Sequence, residues 1–393
     1  MPYALLALAI STFAIGTTEF VIVGLIPEMS RDLNVSVPTA GLLVSLYALS
    51  ITVGGPTFSA LAGRFSRRGL IIGLMVIFTL SNLAAAFAPG YGTLLAARIV
   101  MGVAHGVFFG VGAAVAMSLV DRSKGASAVA VMMGGLTIAM VVGVPLGSWV
   151  GQAFGWRTPF LAVTALGIIS LIGLFLFLPK HIPHTPQSGF LSQLALLGNP
   201  RLSRLYLITA LSFGGTFVVF TFLSPLMTEV TGVNESTVSW ALMLFGGATV
   251  VGNFIGGKLA DALGSKQALS IMLVGLILSL LALPLTVYHL FPMLINITLW
   301  GIFAFAISPI MQSAVVALAQ VEAPNAIDTA SVFNIAAFNL GIASCSFIGA
   351  KLVAGPGLLA TPWAAVAFAV LALIITTLFM QGKVKNTLAE GAV

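Results

Sequence analysis

Mostly apolar segments of about twenty residues or more recur from one end of this chain to the other, each long enough as a helix to span about 30 Å of hydrocarbon. No other feature constrains the fold as tightly. In lipid the backbone N–H and C=O groups find no water, so segments of this length must bond internally as helices. Composition agrees: 59% of residues are apolar and 7% charged, where a water-soluble domain averages about 25% charged. The sequence therefore describes an all-α integral membrane protein.

Twelve spans are predicted. The first six lie near 4–27, 38–62, 69–88, 92–118, 125–153 and 157–178; the second six near 202–229, 234–262, 266–285, 291–318, 326–353 and 359–381. Between the sets the segment from Pro179 to Arg201, with Lys180, Pro183, Pro186 and Gly189, is the longest polar break. The expected organisation is a six-helix bundle over 1–178, a cytoplasmic linker over 179–201 and a second six-helix bundle over 202–393. The N-terminus reads as the first span and not as a cleavable signal peptide. It has no basic leader, and its apolar stretch exceeds the usual length of about 7–15 residues.

The net charge of +6 is dispersed among the loops, so it sets orientation and does not form a nucleic-acid surface. With the N-terminus inside, twelve of the 16 basic residues fall on the cytoplasmic side; only Arg31, Arg157 and Lys351 fall outside, and Arg98 falls within the membrane. Both termini are then cytoplasmic. The single cysteine, Cys345, lies in an apolar segment and reads as a small packing residue, which excludes an internal disulfide and a cysteine metal cluster. No metal site and no cofactor is expected.

The halves repeat. Ser59–Arg64 and Gly257–Ala262 occupy the same place after the second span of each half, an offset of 198 residues (59 to 257) that also carries Arg68 onto Lys266 and Gly143 onto Gly341. Duplicated six-span halves imply two pseudo-symmetric bundles, alternating access and a substrate site near the midplane between them. The same offset exposes an asymmetry: Glu19 falls on Phe217, Arg98 on Asn296 and His105 on Phe303. This embedded set belongs to the first half alone, which suggests proton chemistry there and substrate contact in the second.

Glu19 is the only ionisable side chain in the first span before its end. A charge at mid-bilayer costs about 2.5–3.5 kcal/mol on insertion scales, so it should have a partner and a role. Arg98 in the fourth span is the partner on offer. Counting at about 1.5 Å per residue, Glu19 lies about 12 Å inside the outer end of span one and Arg98 about 9 Å inside the same end of span four. His105 follows Arg98 by seven positions, on the same face and about 10 Å deeper. A carboxyl balanced between desolvation and a nearby cation can take up a proton on one side and release it on the other. Imidazole, which titrates near neutrality, can relay protons or bind substrate. Two plainer readings stay open: a static Glu19–Arg98 tie, and His105 as packing. Gly102 and Gly106 leave room beside that face for a neighbour or for water.

Several stretches carry a family resemblance. Gly257-Lys258-Leu259-Ala260-Asp261, with Gly264 and Lys266, resembles a loop motif of the major facilitator superfamily; in the first half Gly63 stands where the aspartate is expected, although Arg64, Arg67 and Arg68 remain. Leu94–Gly106 resembles that family's embedded-arginine motif. Gly143-Val144-Pro145-Leu146-Gly147 is similar to its antiporter motif in the fifth span. The Gly16–Phe20 stretch and Ala104–Gly110 look like the arabinose- and sugar-efflux branch of its twelve-span drug/proton antiporters.

The resemblance implies the major facilitator fold, a bacterial inner-membrane location, a monomer, and spans one and four side by side at a central cavity. It implies gating by Arg64, Arg68, Asp261 and Lys266 around Gly257, and helix packing or a kink at Gly143, Pro145 and Gly147. On the cavity helices, Phe213, Phe217 and Phe220 read as an aromatic wall, with Thr216, Asn296, Trp300, Gln312, Asn334 and Asn339 as hydrogen-bonding or stacking groups. Such a lining suits small neutral or amphipathic molecules, sugars or chloramphenicol-like drugs among them. The partners expected are that substrate, protons and the bilayer. The expected function is proton-coupled antiport; the alternative is a passive facilitator with a structural Glu–Arg pair. An enzyme is disfavoured, since no His-Glu-x-x-His motif or nucleophile–base set is present.

Overall fold

A computed structural model describes residues 3–61, 65–121, 124–182 and 194–380. Twelve helices are long and apolar enough to cross a membrane: α1 (Tyr3–Asp32), α2 (Val37–Thr57), α3 (Arg67–Ala86), α4 (Tyr91–Ser118), α5 (Ser127–Phe154) and α6 (Arg157–Phe177), then α7 (Pro200–Phe220), α8 (Glu235–Leu263), α9 (Ser265–Thr286), α10 (Leu290–Glu322), α11 (Thr329–Ala354) and α12 (Leu358–Phe379). Among the described residues there is no strand. Polar side chains start several helices by accepting from free backbone N–H groups: Ser66 from Gly69, Asn199 from Arg201 and Leu202, and Asn234 from Thr237. Large apolar side chains cover the outer surface, with Leu285 and Phe291 each 78% exposed. That surface is suited to lipid and not to water.

The helices pack as two six-helix bundles with one plan. In the first, α1 packs on α5 and α6, α2 on α4, and α3 on α4 and α6; in the second, α7 packs on α11 and α12, α8 on α10, and α9 on α10 and α12. Across the divide α2 lies along α11, and α5 along α8. The chain passes between bundles at what we call the linker end; the opposite side is the far end.

Two helices depart from the expected rods. The fifth carries a π-helical turn at Ala139–Gly143, directly before Pro145, which has no N–H to donate. Gly143 is needed for packing there, because a Cβ would sit 2.2 Å from the Thr17 hydroxyl on α1. The seventh breaks after Gly214, resumes at Phe217–Phe220, and continues past Pro225 as a π-helical turn at Leu226–Thr231. The first helix, in contrast, runs through Pro27 to Asp32, five residues past the expected end.

The bundles are clasped at the far end. Arg31 on α1 forms an ion pair with Glu235 on α8. The Ser239 hydroxyl lies 3.2 Å from that of Ser148 and donates to Gln152 Oε1 at 3.1 Å. Beside that clasp, Asp32 accepts from Trp156 Nε1 at 2.9 Å and from Arg157 at 2.6 Å, which ties α1 to α6. At the linker end the bundles are held along α2 and α11, where Thr52 donates to the Ala336 carbonyl at 3.4 Å, while α4 and α10 share no extended packing.

Candidate functional site

The charged site is built where α1, α2 and α4 meet. Helices α2 and α4 approach closely because a Cβ on Gly102 would lie 2.6 Å from the Tyr47 carbonyl oxygen, and one on Gly106 2.7 Å from that of Ile51. The space beside these glycines is thus filled by α2. Arg98 is buried with 0% exposure, and its guanidinium carbon lies 3.9 Å from the centroid of the Tyr47 ring. Such a contact contributes about 2 kcal/mol when desolvated. The Tyr47 hydroxyl is 3.0 Å from His105 Nδ1, and the His105 ring lies 4.7 Å from that of Phe109.

Toward α1, Arg98 Nη1 donates to the Thr18 carbonyl at 2.8 Å. The Thr18 hydroxyl in turn donates to Asn82 on α3 at 2.9 Å. The expected Glu19–Arg98 ion pair is not formed. Matching depths located the contact to within one residue, but the arginine takes the backbone oxygen of Thr18, and the next side chain points about 100° further round the helix. Glu19 is 9% exposed and, among the described residues, makes no hydrogen bond or ion pair, although Arg98 is near enough to act on it electrostatically. Arg98 Nε and Nη2 are buried with no hydrogen-bond partner among the described residues. The arrangement holds an embedded cation with donors to spare beside an unpaired carboxyl.

The second bundle presents aromatic rings to this site. Phe217 lies 6.3 Å from Phe20 on α1 and 5.5 Å from Phe213, which touches Phe305 and Phe338 at 5.2 and 5.0 Å. Phe220 packs at 5.4 Å from Phe217, stacks on Phe245 at 4.6 Å and meets Trp300 at 6.2 Å. The Thr216 hydroxyl, the Trp300 indole nitrogen and Asn339 Oδ1 are buried and have no hydrogen-bond partners among the described residues.

Other expected ligands hold helices together. Asn296 donates to Thr286 on α9 at 3.1 Å, so it braces the bundle and does not face α1. Asn334 accepts from Thr209 and donates to Gln312, both at 2.8 Å, tying α7, α10 and α11.

The expected gate also reads differently. Arg68 donates to the Phe175 carbonyl at 2.7 Å, and Lys266, its repeat partner, to the Thr377 carbonyl at 2.9 Å. Each basic side chain therefore anchors the end of α6 or α12, where helix carbonyls favour a cation, and neither joins the bundles. Asp261 is exposed and forms no ion pair among the described residues. Gly257 faces open space, while a Cβ on Gly147 would meet Val21 at 2.7 Å. Pro145 is buried, and Arg64 lies outside the described residues.

Tyr47 escaped the sequence reading, as did Phe20, Phe245, Phe305 and Phe338. A signal for the first existed. The offset of 198 residues carries Tyr47 onto Phe245, and both positions are aromatic and buried at the centre of their bundles.

Two six-helix bundles around an embedded charge site define a multi-pass membrane transporter. The sequence model of the Major Facilitator Superfamily matches residues 8–234 and 205–391. The MFS-type transporter YtbD of Bacillus subtilis (strain 168) is 45% identical over 373 residues, which cover 95% of this chain and 94% of that one. The inner membrane transport protein YdhP of Escherichia coli (strain K12) is 41% identical over 382 residues, 97% and 96% of the two chains. A chloramphenicol resistance protein of Streptomyces lividans is 32% identical over 379 residues, 95% of each. In fold, the chain resembles the human organic anion transporter MFSD10 (TM-score 0.72, 18% identity, 95% and 98% covered). It also resembles a bacterial homologue of the human lysosomal transporter Spinster (TM-score 0.74, 17% identity, 95% of each covered). The chain belongs to the Major Facilitator Superfamily. It is a transporter and not an enzyme, and it works on a small-molecule substrate within a bilayer.

Proposed function

We propose that this protein is a proton-coupled antiporter that exports small neutral or amphipathic molecules across a bacterial inner membrane by alternating access. The linker end and both termini face the cytoplasm, as the basic loops favour. The clasp at the far end supports reading this arrangement as inward-facing. The observation that carries the reading is the state of Glu19. Its carboxyl is unpaired at the inner face of the first bundle, next to a buried Arg98 with two unbonded nitrogens. A passive facilitator held by a static Glu–Arg tie would need the contact that is absent here.

Glu19 binds the proton when the site faces out. Arg98 exchanges the Thr18 carbonyl for the Glu19 carboxylate as the proton leaves, and Tyr47 and His105 follow the guanidinium. One charge crossing the membrane supplies about 2.3 kcal/mol per 100 mV. Substrate lies against the Phe213–Phe217–Phe220 wall, where Thr216, Trp300 and Asn339 retain free hydrogen-bonding capacity. The relative named for chloramphenicol resistance supports a phenicol-like substrate and supplies the probe. In proteoliposomes, an imposed pH gradient should drive chloramphenicol accumulation by the native protein. Glu19→Gln should keep folding and downhill exchange but lose the response to the gradient. Flux in the native protein that ignores the gradient would overturn the proposal.

A further inference from the structure

The embedded arginine is held through a chain of bonds that ends on a third helix. Arg98 takes the Thr18 carbonyl at 2.8 Å, and the Thr18 hydroxyl donates to Asn82 Oδ1 on α3 at 2.9 Å. Asn82 is buried with 0% exposure. Its Nδ2 donates to the Phe78 carbonyl one turn back at 2.9 Å, which fixes the amide with its oxygen toward Thr18. A helical threonine commonly bonds to its own helix, as Thr17 does with the Phe13 carbonyl at 2.8 Å; Thr18 is diverted outward. Helix α3 has no extended packing on α1, so this bond is a specific reach between them.

The repeat marks this chain of bonds as extra to the shared scaffold. The offset of 198 residues carries Thr18 onto Thr216, Asn82 onto Leu280 and Arg98 onto Asn296. The Thr216 hydroxyl has no hydrogen-bond partner among the described residues, and Leu280 is buried with no polar group to offer. There the seventh helix breaks, between Gly214 and Phe217, whereas α1 stays helical through Thr18. The amide thus occurs together with Glu19 and Arg98, in the bundle that carries them.

We propose that Asn82 is a positioning residue of the proton site, holding the Thr18 turn so that its carbonyl competes with the Glu19 carboxylate for Arg98. The inference rests on reading Glu19 and Arg98 as that site. Asn82 acts through Thr18: it stabilises the arrangement in which Arg98 stays on the backbone, which suits a protonated Glu19 that needs no cation. The other titratable groups around Glu19 are Tyr47 on α2 and, beyond it, His105 on α4. On α5 and α6 the one ionisable side chain is Arg157, tied to Asp32 at the far end, and α7 presents Phe217. Loss of the Asn82 bond should therefore ease the move of Arg98 onto the carboxylate, and Glu19 should release its proton at a lower pH than in the native protein.

The test titrates Glu19 in the purified full chain by infrared difference spectroscopy, with Glu19→Gln identifying its carboxyl band. Asn82→Leu places at this position the side chain that the second bundle has, and Thr18→Val deletes the same bond from the other side. Each should lower the midpoint by about 0.5–1 pH unit, the worth of one neutral hydrogen bond, and the two together should lower it no further than either alone. Thr18→Ser keeps the hydroxyl and should keep the native midpoint. Should Asn82→Leu fail to fold, the contrast of Thr18→Val with Thr18→Ser decides the question. A midpoint that stays in place when the bond is deleted, or shifts that add in the double variant, would overturn the inference and leave the proton site standing. A Glu19 band that does not titrate in the native protein would remove the proton site itself, and the inference with it.

Discussion

Tyr47 performs two tasks that substitutions can separate. Tyr47→Phe leaves the ring against the Arg98 guanidinium but deletes the hydroxyl that meets His105 Nδ1 at 3.0 Å. A neutral hydrogen bond is worth about 0.5–1.5 kcal/mol net, and stranding a buried partner costs about 1–3 kcal/mol. Tyr47→Leu deletes the ring as well. It forfeits a desolvated cation–π contact of about 2 kcal/mol and leaves Arg98 with the Thr18 carbonyl as its one remaining partner. The leucine variant should therefore be less stable than the phenylalanine variant by about 2 kcal/mol or more. Thermal unfolding in one detergent should rank native above Phe above Leu. The hydrogen bond is isolated by repeating Tyr47→Phe in a His105→Ala background, where its cost should largely vanish. If Phe and Leu unfold together, the ring does not hold the guanidinium. If Tyr47→Phe costs the same with and without His105, the hydroxyl has no partner there. Either result refutes the account of the site.

Arg31 and Glu235 are 68% and 31% exposed in their side chains, so their ion pair should be worth about 0.2–1 kcal/mol. Arg31→Glu should thus shift the balance of far-end-closed and far-end-open forms by up to about fivefold, as read by spin-label distances across that end, and Arg31→Glu with Glu235→Arg should restore it. No restoration in the swapped pair would remove this contact from the clasp. Gly143→Val should destabilise by at least about 1–3 kcal/mol, because its Cβ would fall 2.2 Å from the Thr17 hydroxyl; unchanged unfolding would mean that α1 and α5 can separate freely there.

The fold was legible because the bilayer simplifies the code. Twelve apolar segments and a duplicated loop motif leave little choice of architecture, and the repeat offset correctly anticipates that Arg68 and Lys266 serve equivalent places. Their partners were not legible. Both reach backbone carbonyls on the last helix of their own bundle, and a backbone acceptor has no signature in sequence. The same blindness turned Arg98 toward Glu19 on paper and toward the Thr18 carbonyl in the structure. Asn296 and Asn334 misled for a different reason. A buried amide reads alike whether it meets a ligand or a neighbouring helix, and only tertiary packing distinguishes Thr286 and Gln312 from a substrate.

The duplicated scaffold explains why the charged equipment occurs once. Positions 19, 47 and 98 hold Glu, Tyr and Arg in the first bundle, and the equivalent positions 217, 245 and 296 hold Phe, Phe and Asn. Each embedded charge carries a desolvation cost of about 2.5–3.5 kcal/mol, which a second copy would double. The second bundle fills the same geometry with rings, and Phe217 meets Phe20 directly beside Glu19. On the proposed reading, an apolar surface next to the carboxyl has a mechanistic consequence. A substrate that displaces Phe217 from Phe20 alters the surroundings of Glu19 without touching it. Phe217→Ala should therefore loosen coupling more than it weakens binding: the chloramphenicol affinity of purified protein should fall modestly, while accumulation on an imposed pH gradient should fall steeply. Equal losses in both would assign Phe217 to binding alone.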